Sequence, residues 1–229
     1  MSSRNIIVTG GFGILGRAVA DAFAARGDRV ARVDFAPAPA PATGNGTGID
    51  LGGVDLTNLD DAKKAVATVA AAFGSVDTLV NIAGGFTWEM LADGGMQTWN
   101  RLYAMNAATS VNMTQAALPE LEKAEAARII NIGAASAITA AAGMGGYAAS
   151  KSAVHKLTES LAAELAGKDI TVNAVLPSII DTPTNRTDMP DADFGAWVQP
   201  AAIADAILFL ASPASRAITG ALIPVTRGG

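Results

Sequence analysis

A tyrosine and a lysine, Tyr147 and Lys151, stand four residues apart at the start of a segment with a helical pattern. This spacing places both side chains on one face of the helix. A lysine ammonium beside a phenol stabilises the phenolate and lowers the pKa of the phenol. A tyrosine of this kind can exchange a proton with a substrate oxygen or nitrogen near neutral pH. The pair favours acid–base chemistry, although the same spacing also occurs often by chance.

Three glycines at three-residue spacing, Gly10, Gly13 and Gly16, follow the first apolar segment, residues 6–9. Glycine permits a tight turn and lets the backbone approach a pyrophosphate. The helix that follows offers free N–H groups and the positive end of its dipole to the anion. The pattern predicts a phosphate-binding turn; the alternative is an ordinary turn between a strand and a helix.

Asp34 ends the second predicted strand, 29–34, and lies 18 residues beyond Gly16. A carboxylate at this point accepts hydrogen bonds from the ribose hydroxyls of NAD and repels the 2′-phosphate of NADP. The pattern therefore favours NAD(H). Arg32 should share the face of Asp34, so NADP(H) is not excluded, and a loop-capping role for Asp34 is the other alternative.

The segments that must position these residues alternate between strands and helices. Strands are predicted at 6–9, 29–34, 78–82, 128–132, 171–176 and 221–226, and helices at 15–26, 60–73, 97–126, 147–166 and 201–212. The Pro- and Gly-rich segment 36–48 is expected to replace a crossover helix by an exposed loop. Repeated βα units predict a parallel sheet covered by helices, in one domain spanning 1–229.

The composition excludes several classes of site. The 229 residues include no cysteine, which excludes disulfides, thiolate zinc sites and a cysteine nucleophile. One histidine, His155, cannot make a multi-histidine metal site, and we expect it to be structural or to lie at a subunit interface. A net charge of -5 argues against nucleic-acid binding.

The mean hydropathy is positive, at +0.32, yet the apolar stretches do not suit a membrane protein. Glycine or charged residues interrupt them well before the ~18 residues that a spanning helix needs. The first residues lack the apolar core of a signal peptide. We therefore expect a cytoplasmic protein that does not span a membrane.

Eight segments, taken in order, resemble the short-chain dehydrogenase/reductase family over nearly the whole chain. They are TGGFGILG (9–16), Asp55-Leu56, LVNIAG (79–84), Asn106, RIINI (128–132), YAASK (147–151), LPSIIDT (176–182) and ITGALIPV (218–225). The resemblance implies an α/β, Rossmann-type doubly wound parallel sheet of about seven strands. It also implies an enzyme that moves hydride between a nicotinamide and a small-molecule substrate.

The resemblance assigns roles to individual residues. Tyr147 would donate or accept the proton, Lys151 would bind the nicotinamide ribose, and Asn106 would hold a water that relays protons to Lys151. The cofactor would be bound by Gly10, Phe12, Gly13, Ile14, Leu15, Gly16, Asp34, Asp55, Leu56, Asn81, Ala83, Gly84, Lys151, Pro177, Ile180 and Thr182. Within this set, Asp55 and Leu56 would contact adenine, and Asn81, Ala83 and Gly84 would line the adenosine-ribose side. Helices at 97–126 and 147–166 would form a homodimer or homotetramer.

The chain departs from the family at Ala134, thirteen residues before Tyr147, where a catalytic serine is usual. Removing one donor to a developing oxyanion can lower a rate ~10²-fold or more. Ser136 lies two residues later and is the nearest hydroxyl along the chain. Either the enzyme is impaired or its substrate does not need this donor.

A further resemblance, to the dihydropteridine reductase branch, favours the second option. The matching pieces are residues 146–157 and 174–197 and the run Ala83-Gly84-Gly85-Phe86. That branch also carries alanine at the serine position, and it reduces quinonoid dihydropterins with NADH. Hydride addition to a conjugated ring leaves no localised alkoxide, so a serine hydroxyl is less needed.

The substrate site is expected to involve Ala134, Ser136, Phe86, Trp88, Met189 and Trp197. Flat aromatic rings among them could stack on a flat heterocycle, or could pack the loops against the body of the protein. No metal is expected. Two other functions remain open: a generic carbonyl or 3-oxoacyl reductase or alcohol dehydrogenase of the same family, and an NAD(H)-binding sensor or scaffold without turnover.

Overall fold

The structure is a computed structural model, and it describes residues 3–39 and 48–227. Seven parallel strands form one sheet in the order β3-β2-β1-β4-β5-β6-β7. They are β1 Asn5–Thr9, β2 Arg29–Val33, β3 Ile49–Leu51, β4 Thr78–Asn81, β5 Ala127–Ile132, β6 Ile170–Pro177 and β7 Leu222–Val225. This topology confirms the predicted Rossmann-type fold, and its strand order reverses between β1 and β4, where such sheets bind ligands.

Helices cover both faces of the sheet. They are α1 Ile14–Ala25, α2 Leu59–Phe73, α3 Met96–Tyr103, α4 Thr109–Leu121, α5 Gly145–Glu164, α6 Pro183–Asp188 and α7 Pro200–Leu210. The alternation of side chains along β1 explains the two layers. Ile7 joins a core with α2, α4 and α5, whereas Ile6 and Val8 join a core with α1 and α7. A central strand of a parallel sheet is apolar throughout because both of its faces are buried.

The predicted helix at 97–126 is wrong in two respects. It is divided into α3 and α4 by a π-helical turn, Ala104–Ala108, and it ends at Leu121. After Leu121 the backbone hydrogen bonds join residues three apart. The N–H of Lys123 donates to the carbonyl of Glu120, and that of Ala124 donates to the carbonyl of Leu121. A π turn inserts one extra residue into a helix, and such turns are frequent at functional sites.

Two short elements, β3 and α6, were not predicted from the sequence. β3 is an edge strand of three half-buried residues with Asp50 at its centre, so it lacks an apolar run. α6 spans six residues whose polar composition gives no amphipathic period. Residues 40–47 of the Pro- and Gly-rich segment lie outside the described residues, and 36–39 form neither helix nor strand. Within the described ranges, no helix is both long and apolar enough to cross a membrane.

Candidate active site

A cleft of about 1760 Å³ lies at the carboxyl ends of the strands. The turn after β1 forms one end, and the loops after β4, β5 and β6 form the other. The volume exceeds the usual range for one drug-sized ligand, about 300–1,000 Å³. It suits a dinucleotide together with a second molecule.

The glycine turn between β1 and α1 has the geometry of an anion cradle. Gly10 has a φ of 62°, which favours glycine. A Cβ on Gly16 would lie 2.0 Å from the carbonyl oxygen of Gly10, so the turn can close only around glycine. Gly13 precedes α1 and no side chain caps the helix, which leaves its first N–H groups free for a ligand. The turn therefore fits the pyrophosphate of a dinucleotide.

Asp34 follows β2 and is fixed between this turn and the next loop. One carboxylate oxygen accepts the backbone N–H of Phe12 at 2.9 Å, and the other accepts that of Ala36 at 3.0 Å. The guanidinium of Arg32 makes two hydrogen bonds to Asp50 on β3, at 2.7 and 2.6 Å, and lies 5.6 Å from the ring centroid of Phe12. Arg32 is therefore engaged by the neighbouring strand, and its expected place on the face of Asp34 stays a prediction.

Most of the residues predicted to bind the cofactor line this cleft. They are Gly10, Phe12, Gly13, Ile14, Leu15, Gly16, Asp34, Asp55, Leu56, Ala83, Gly84, Lys151, Pro177, Ile180 and Thr182. Asn81 is the exception, and its prediction is corrected. Its buried amide donates to Thr114 at 3.0 Å and to Asn131 at 2.9 Å. The side chain therefore points into the helical layer and ties β4 to β5 and α4.

Tyr147 and Lys151 lie in the first turns of α5, and both line the cleft. The ammonium of Lys151 donates to the carbonyl oxygen of Ile132, at 2.8 Å. Burial lowers the pKa of Lys151 to about 8. Burial also raises the pKa of Tyr147 to about 12, opposite to the predicted direction. The prediction fails because desolvation of the phenol determines its pKa.

At neutral pH Tyr147 therefore carries its proton and Lys151 carries a positive charge. A protonated phenol is the form that can donate a proton to a reduced substrate. The nearby positive charge would stabilise the phenolate left behind. The arrangement thus suits reduction at neutral pH.

Asn106 is fully buried within the π-helical turn. Its amide donates to the carbonyl of Gly85 and to the hydroxyl of Ser150, each at 3.0 Å, and its oxygen accepts the N–H of Gly85 at 2.9 Å. A Cβ on Gly84 would lie 2.4 Å from this oxygen and 3.5 Å from Lys151 Nζ. Asn106 therefore ties the loop after β4 to α5, beside Lys151, and its part in a water relay stays a prediction.

Ala134 is buried at the end of β5 and presents only a methyl group to the cleft. Ser136 lies in the next short turn, Ala135–Ala137, and also lines the cleft. A hydroxyl is thus present on the same wall, displaced from the position of the usual serine.

The aromatic residues divide into two groups. Phe86 contacts the ring of Tyr147 edge to face, with 5.0 Å between the centroids, and is 56% exposed. The indole N–H of Trp88 donates to Ala142 at 3.0 Å, and its ring is 58% exposed. Both line the cleft, as does Met189. The prediction that Trp197 belongs to the substrate site is corrected. Its side chain is 4% exposed and packs against Phe194, so it supports the loop from inside.

Several residues of the cleft wall were not predicted, among them Arg101, Met105 and Met144. Met105 and Met144 stand one residue before Asn106 and three before Tyr147, so their positions along the chain could have indicated them. Arg101 on α3 donates to the hydroxyl of Thr87 in the loop after β4, at 2.9 Å. No sequence pattern predicts this contact.

A family model described as "short chain dehydrogenase" matches residues 4–193. The chain belongs to the short-chain dehydrogenase family. The match, together with the fold and the cleft, identifies it as an NAD(P)-dependent oxidoreductase.

Relatives of known name are similar over almost their whole length. The 3-oxoacyl-(acyl-carrier-protein) reductase FabG of Thermotoga maritima is 31% identical, covering 97% of this chain and 96% of the relative. Nodulation protein G of Azospirillum brasilense is 32% identical, with 100% and 98% covered. Among solved structures, the aldohexose dehydrogenase of Thermoplasma acidophilum superposes with a TM-score of 0.87 at 28% identity, covering 97% and 92%.

These relatives bear on the two resemblances in different ways. They confirm the family and the class of enzyme. They favour the alternative of a generic carbonyl or 3-oxoacyl reductase over the prediction of a pterin substrate. None of these relatives supports the expected closeness to dihydropteridine reductase.

Proposed function

We propose that this oxidoreductase is an NADH-preferring reductase of small carbonyl compounds, in which Tyr147 donates the proton. The observation that carries the proposal is the placement of Tyr147 and Lys151, on one helix, in the same cleft as the glycine turn. The similarity to 3-oxoacyl reductases supports a carbonyl substrate.

The residues of the cleft divide the work between its two ends. A bound nicotinamide nucleotide would supply hydride to the substrate carbon. The N–H groups at the start of α1 would hold its pyrophosphate, and Asp34 would accept its ribose hydroxyls. Tyr147 would give its phenolic proton to the substrate oxygen, so that the carbonyl becomes an alcohol. Lys151 would stabilise the resulting phenolate until solvent restores the proton.

The preference for NADH rests on Asp34 and Arg32. A 2′-phosphate in the cleft would meet the carboxylate of Asp34, and like charges disfavour that complex. The nearest arginine along β2, Arg32, is engaged by Asp50 and cannot turn to a phosphate without losing two hydrogen bonds.

A second candidate substrate, a quinonoid dihydropterin, is supported by a different observation. Ala134 offers no hydroxyl to a developing alkoxide, whereas a conjugated ring spreads the charge and needs none. The exposed ring of Phe86, held edge-on to Tyr147, gives a flat molecule a surface to stack on.

Oxidation of NADH over a substrate panel tests the proposal. The panel contains a simple ketone, a 3-oxoacyl thioester and quinonoid dihydrobiopterin, each assayed with wild type and with Tyr147→Phe. Turnover of a carbonyl compound that depends on Tyr147 supports the main proposal, and turnover of the pterin alone supports the second candidate. Tight binding of NADH without any turnover would instead support the sensor or scaffold alternative.

We also propose a homodimer or homotetramer formed through α4 and α5. Tyr103 at the end of α3 and Val111 on α4 expose apolar surface that a partner subunit could cover. Light scattering of the wild type gives the subunit number, and a monomeric mass would contradict the proposal.

A further inference from the structure

One histidine occurs in the chain, His155, and the proposed reaction gives it no role. It lies on α5 one turn after Lys151 and is 5% exposed. Its Nε2 atom accepts a hydrogen bond from the backbone N–H of Ala134, at 3.3 Å. An imidazole accepts through Nε2 only when that nitrogen carries no proton. The contact therefore requires the neutral ring with its proton on Nδ1.

Lys151 and His155 hold the two ends of one short segment, residues 132–134. Lys151 donates to the carbonyl of Ile132 at 2.8 Å, and His155 accepts from the N–H of Ala134. Gly133 lies between them, and a Cβ there would be 2.4 Å from His155 Nε2. Two side chains four residues apart on one helix face thus clamp the end of β5.

We infer that neutral His155 is a positioning residue: by accepting the N–H of Ala134 it fixes residues 132–134, and through Ile132 it places the ammonium of Lys151. The inference rests on the proposed function, because it concerns the placement of Lys151 beside Tyr147. Positioned groups lose activity steeply when their supports are left loose.

Protonation of His155 would open this clamp. An imidazolium has no acceptor nitrogen, and its charge would lie beside the ammonium of Lys151. Among the described residues, the charges that act on the pKa of His155 are those of Lys151, Lys156 and Glu159, all on α5. Gly133, which contacts the ring, and Leu176 beside it on β6 carry no charge.

The surroundings keep the ring neutral at neutral pH. Burial is the main cause that holds the pKa of His155 below its ordinary value of 6.5, and the charge of Lys151 acts in the same direction. Glu159 opposes both by raising the pKa. The clamp is therefore intact at neutral pH and opens in acid.

A nuclear magnetic resonance titration tests the ring directly and needs no substrate. Because the sequence holds a single histidine, its proton–nitrogen correlations are assigned without variants. We expect the Nδ1–H tautomer and a pKa below 6.5. The Nε2–H tautomer, or a pKa above 6.5, would overturn the inference whatever the enzyme reduces.

The pH dependence of kcat/KM tests the consequence for turnover. Wild type should lose activity as pH falls through the pKa of His155. His155→Gln places an uncharged acceptor oxygen near the position of Nε2, so it should keep the neutral-pH activity and lose this acid limb. His155→Leu has no acceptor and should lower kcat/KM about 10-fold across the range, with NADH binding little changed.

Glu159→Gln is the matched control for charge alone. It removes the group that raises the pKa of His155, so the acid limb should move to lower pH while the plateau stays the same. Wild-type kcat/KM in His155→Leu, or an unchanged acid limb in His155→Gln, would overturn the inference. Absence of turnover in every variant and in wild type would instead refute the proposed function and leave the tautomer measurement decisive.

Discussion

The two ends of the cleft are built differently. At the nucleotide end, the site consists of backbone N–H groups and of the carboxylate of Asp34, which two backbone hydrogen bonds hold in place. At the substrate end, Phe86 and Trp88 line the cleft and expose large apolar surfaces. Apolar surface of this kind is covered when a ligand or partner binds. Under the proposed function, cofactor choice would therefore depend on polar contacts, whereas substrate choice would depend on the shape of the cleft and on the absence of a hydroxyl at Ala134.

Tyr147→Phe gives the largest expected effect, at the junction of the two ends. It removes the hydroxyl that we propose as the proton donor and keeps the ring that packs against Phe86. Turnover should fall by ~10²-fold or more, the usual contribution of general acid catalysis. The dissociation constant of NADH, measured by fluorescence, should change little. Near-wild-type turnover would mean that the proton comes from elsewhere.

Asp34→Ser tests the nucleotide end alone. Removing the carboxylate abolishes its repulsion of a 2′-phosphate, so the preference for NADH over NADPH should shrink by about 10-fold or more. The measurement is the ratio of the two dissociation constants in variant and wild type. Adding Asp50→Asn to Asp34→Ser removes the negative charge that pairs with Arg32. The released guanidinium should improve NADPH binding further. Wild type that binds NADPH as tightly as NADH would refute the role of Asp34.

Ala134→Ser tests the substrate end alone. If the substrate is a carbonyl compound, the added hydroxyl should raise kcat/KM several-fold to about 10-fold, because it faces the developing oxyanion. With a quinonoid pterin it should bring no gain, since an unpaired buried hydroxyl costs about 1–3 kcal/mol. A clear rise on the pterin would refute the argument from delocalised charge. Ser136→Ala in the same assay shows whether the hydroxyl of Ser136 already donates a hydrogen bond to the developing oxyanion.

Lys151→Met is expected to change the stability of the free protein, and the change should be a gain. The folded pKa of Lys151 is about 8 against 10.5 unfolded, so burial of its charge destabilises the free protein below pH 8. Removing the charge should stabilise it at pH 7 by about 2 kcal/mol, after about 1 kcal/mol is lost with the hydrogen bond to Ile132.

The pH dependence of that stability change provides its check. The gain should shrink as pH rises from about 8 to 10.5, where Lys151 is neutral in the folded state and progressively also in the unfolded state. Denaturant unfolding at several pH values measures it. Lys156→Met is the exposed control and should change stability little. Destabilisation by Lys151→Met at pH 7 would contradict the account.

The sequence predicted the features that follow from local pattern. Apolar runs such as 128–132 became buried strands, and the glycine turn closed as expected because Gly16 admits no Cβ. The pair Tyr147 and Lys151 reached one cleft because helix geometry fixes their common face.

The features that depend on tertiary packing were not predictable in this way. β3 has no apolar run because its central residue is Asp50. This strand is held by pairing with β2, where Asp50 lies opposite Arg32 and forms an ion pair with it. Asn81 points inward because α4 and β5 supply Thr114 and Asn131 as partners. The rise in the pKa of Tyr147 depends on burial of its phenol, and one neighbour of the ring, Phe86, lies far along the chain.

Hydride transfer in this cleft with Tyr147 as the acid can be measured with NADH that carries deuterium at both C4 positions. The product formed by wild type is analysed by mass spectrometry beside that of Tyr147→Phe. We expect one deuterium on the reduced carbon of the product from both proteins. The variant should form this product at a rate lower by ~10²-fold or more. Product without deuterium, or equal rates in the two proteins, would contradict the account.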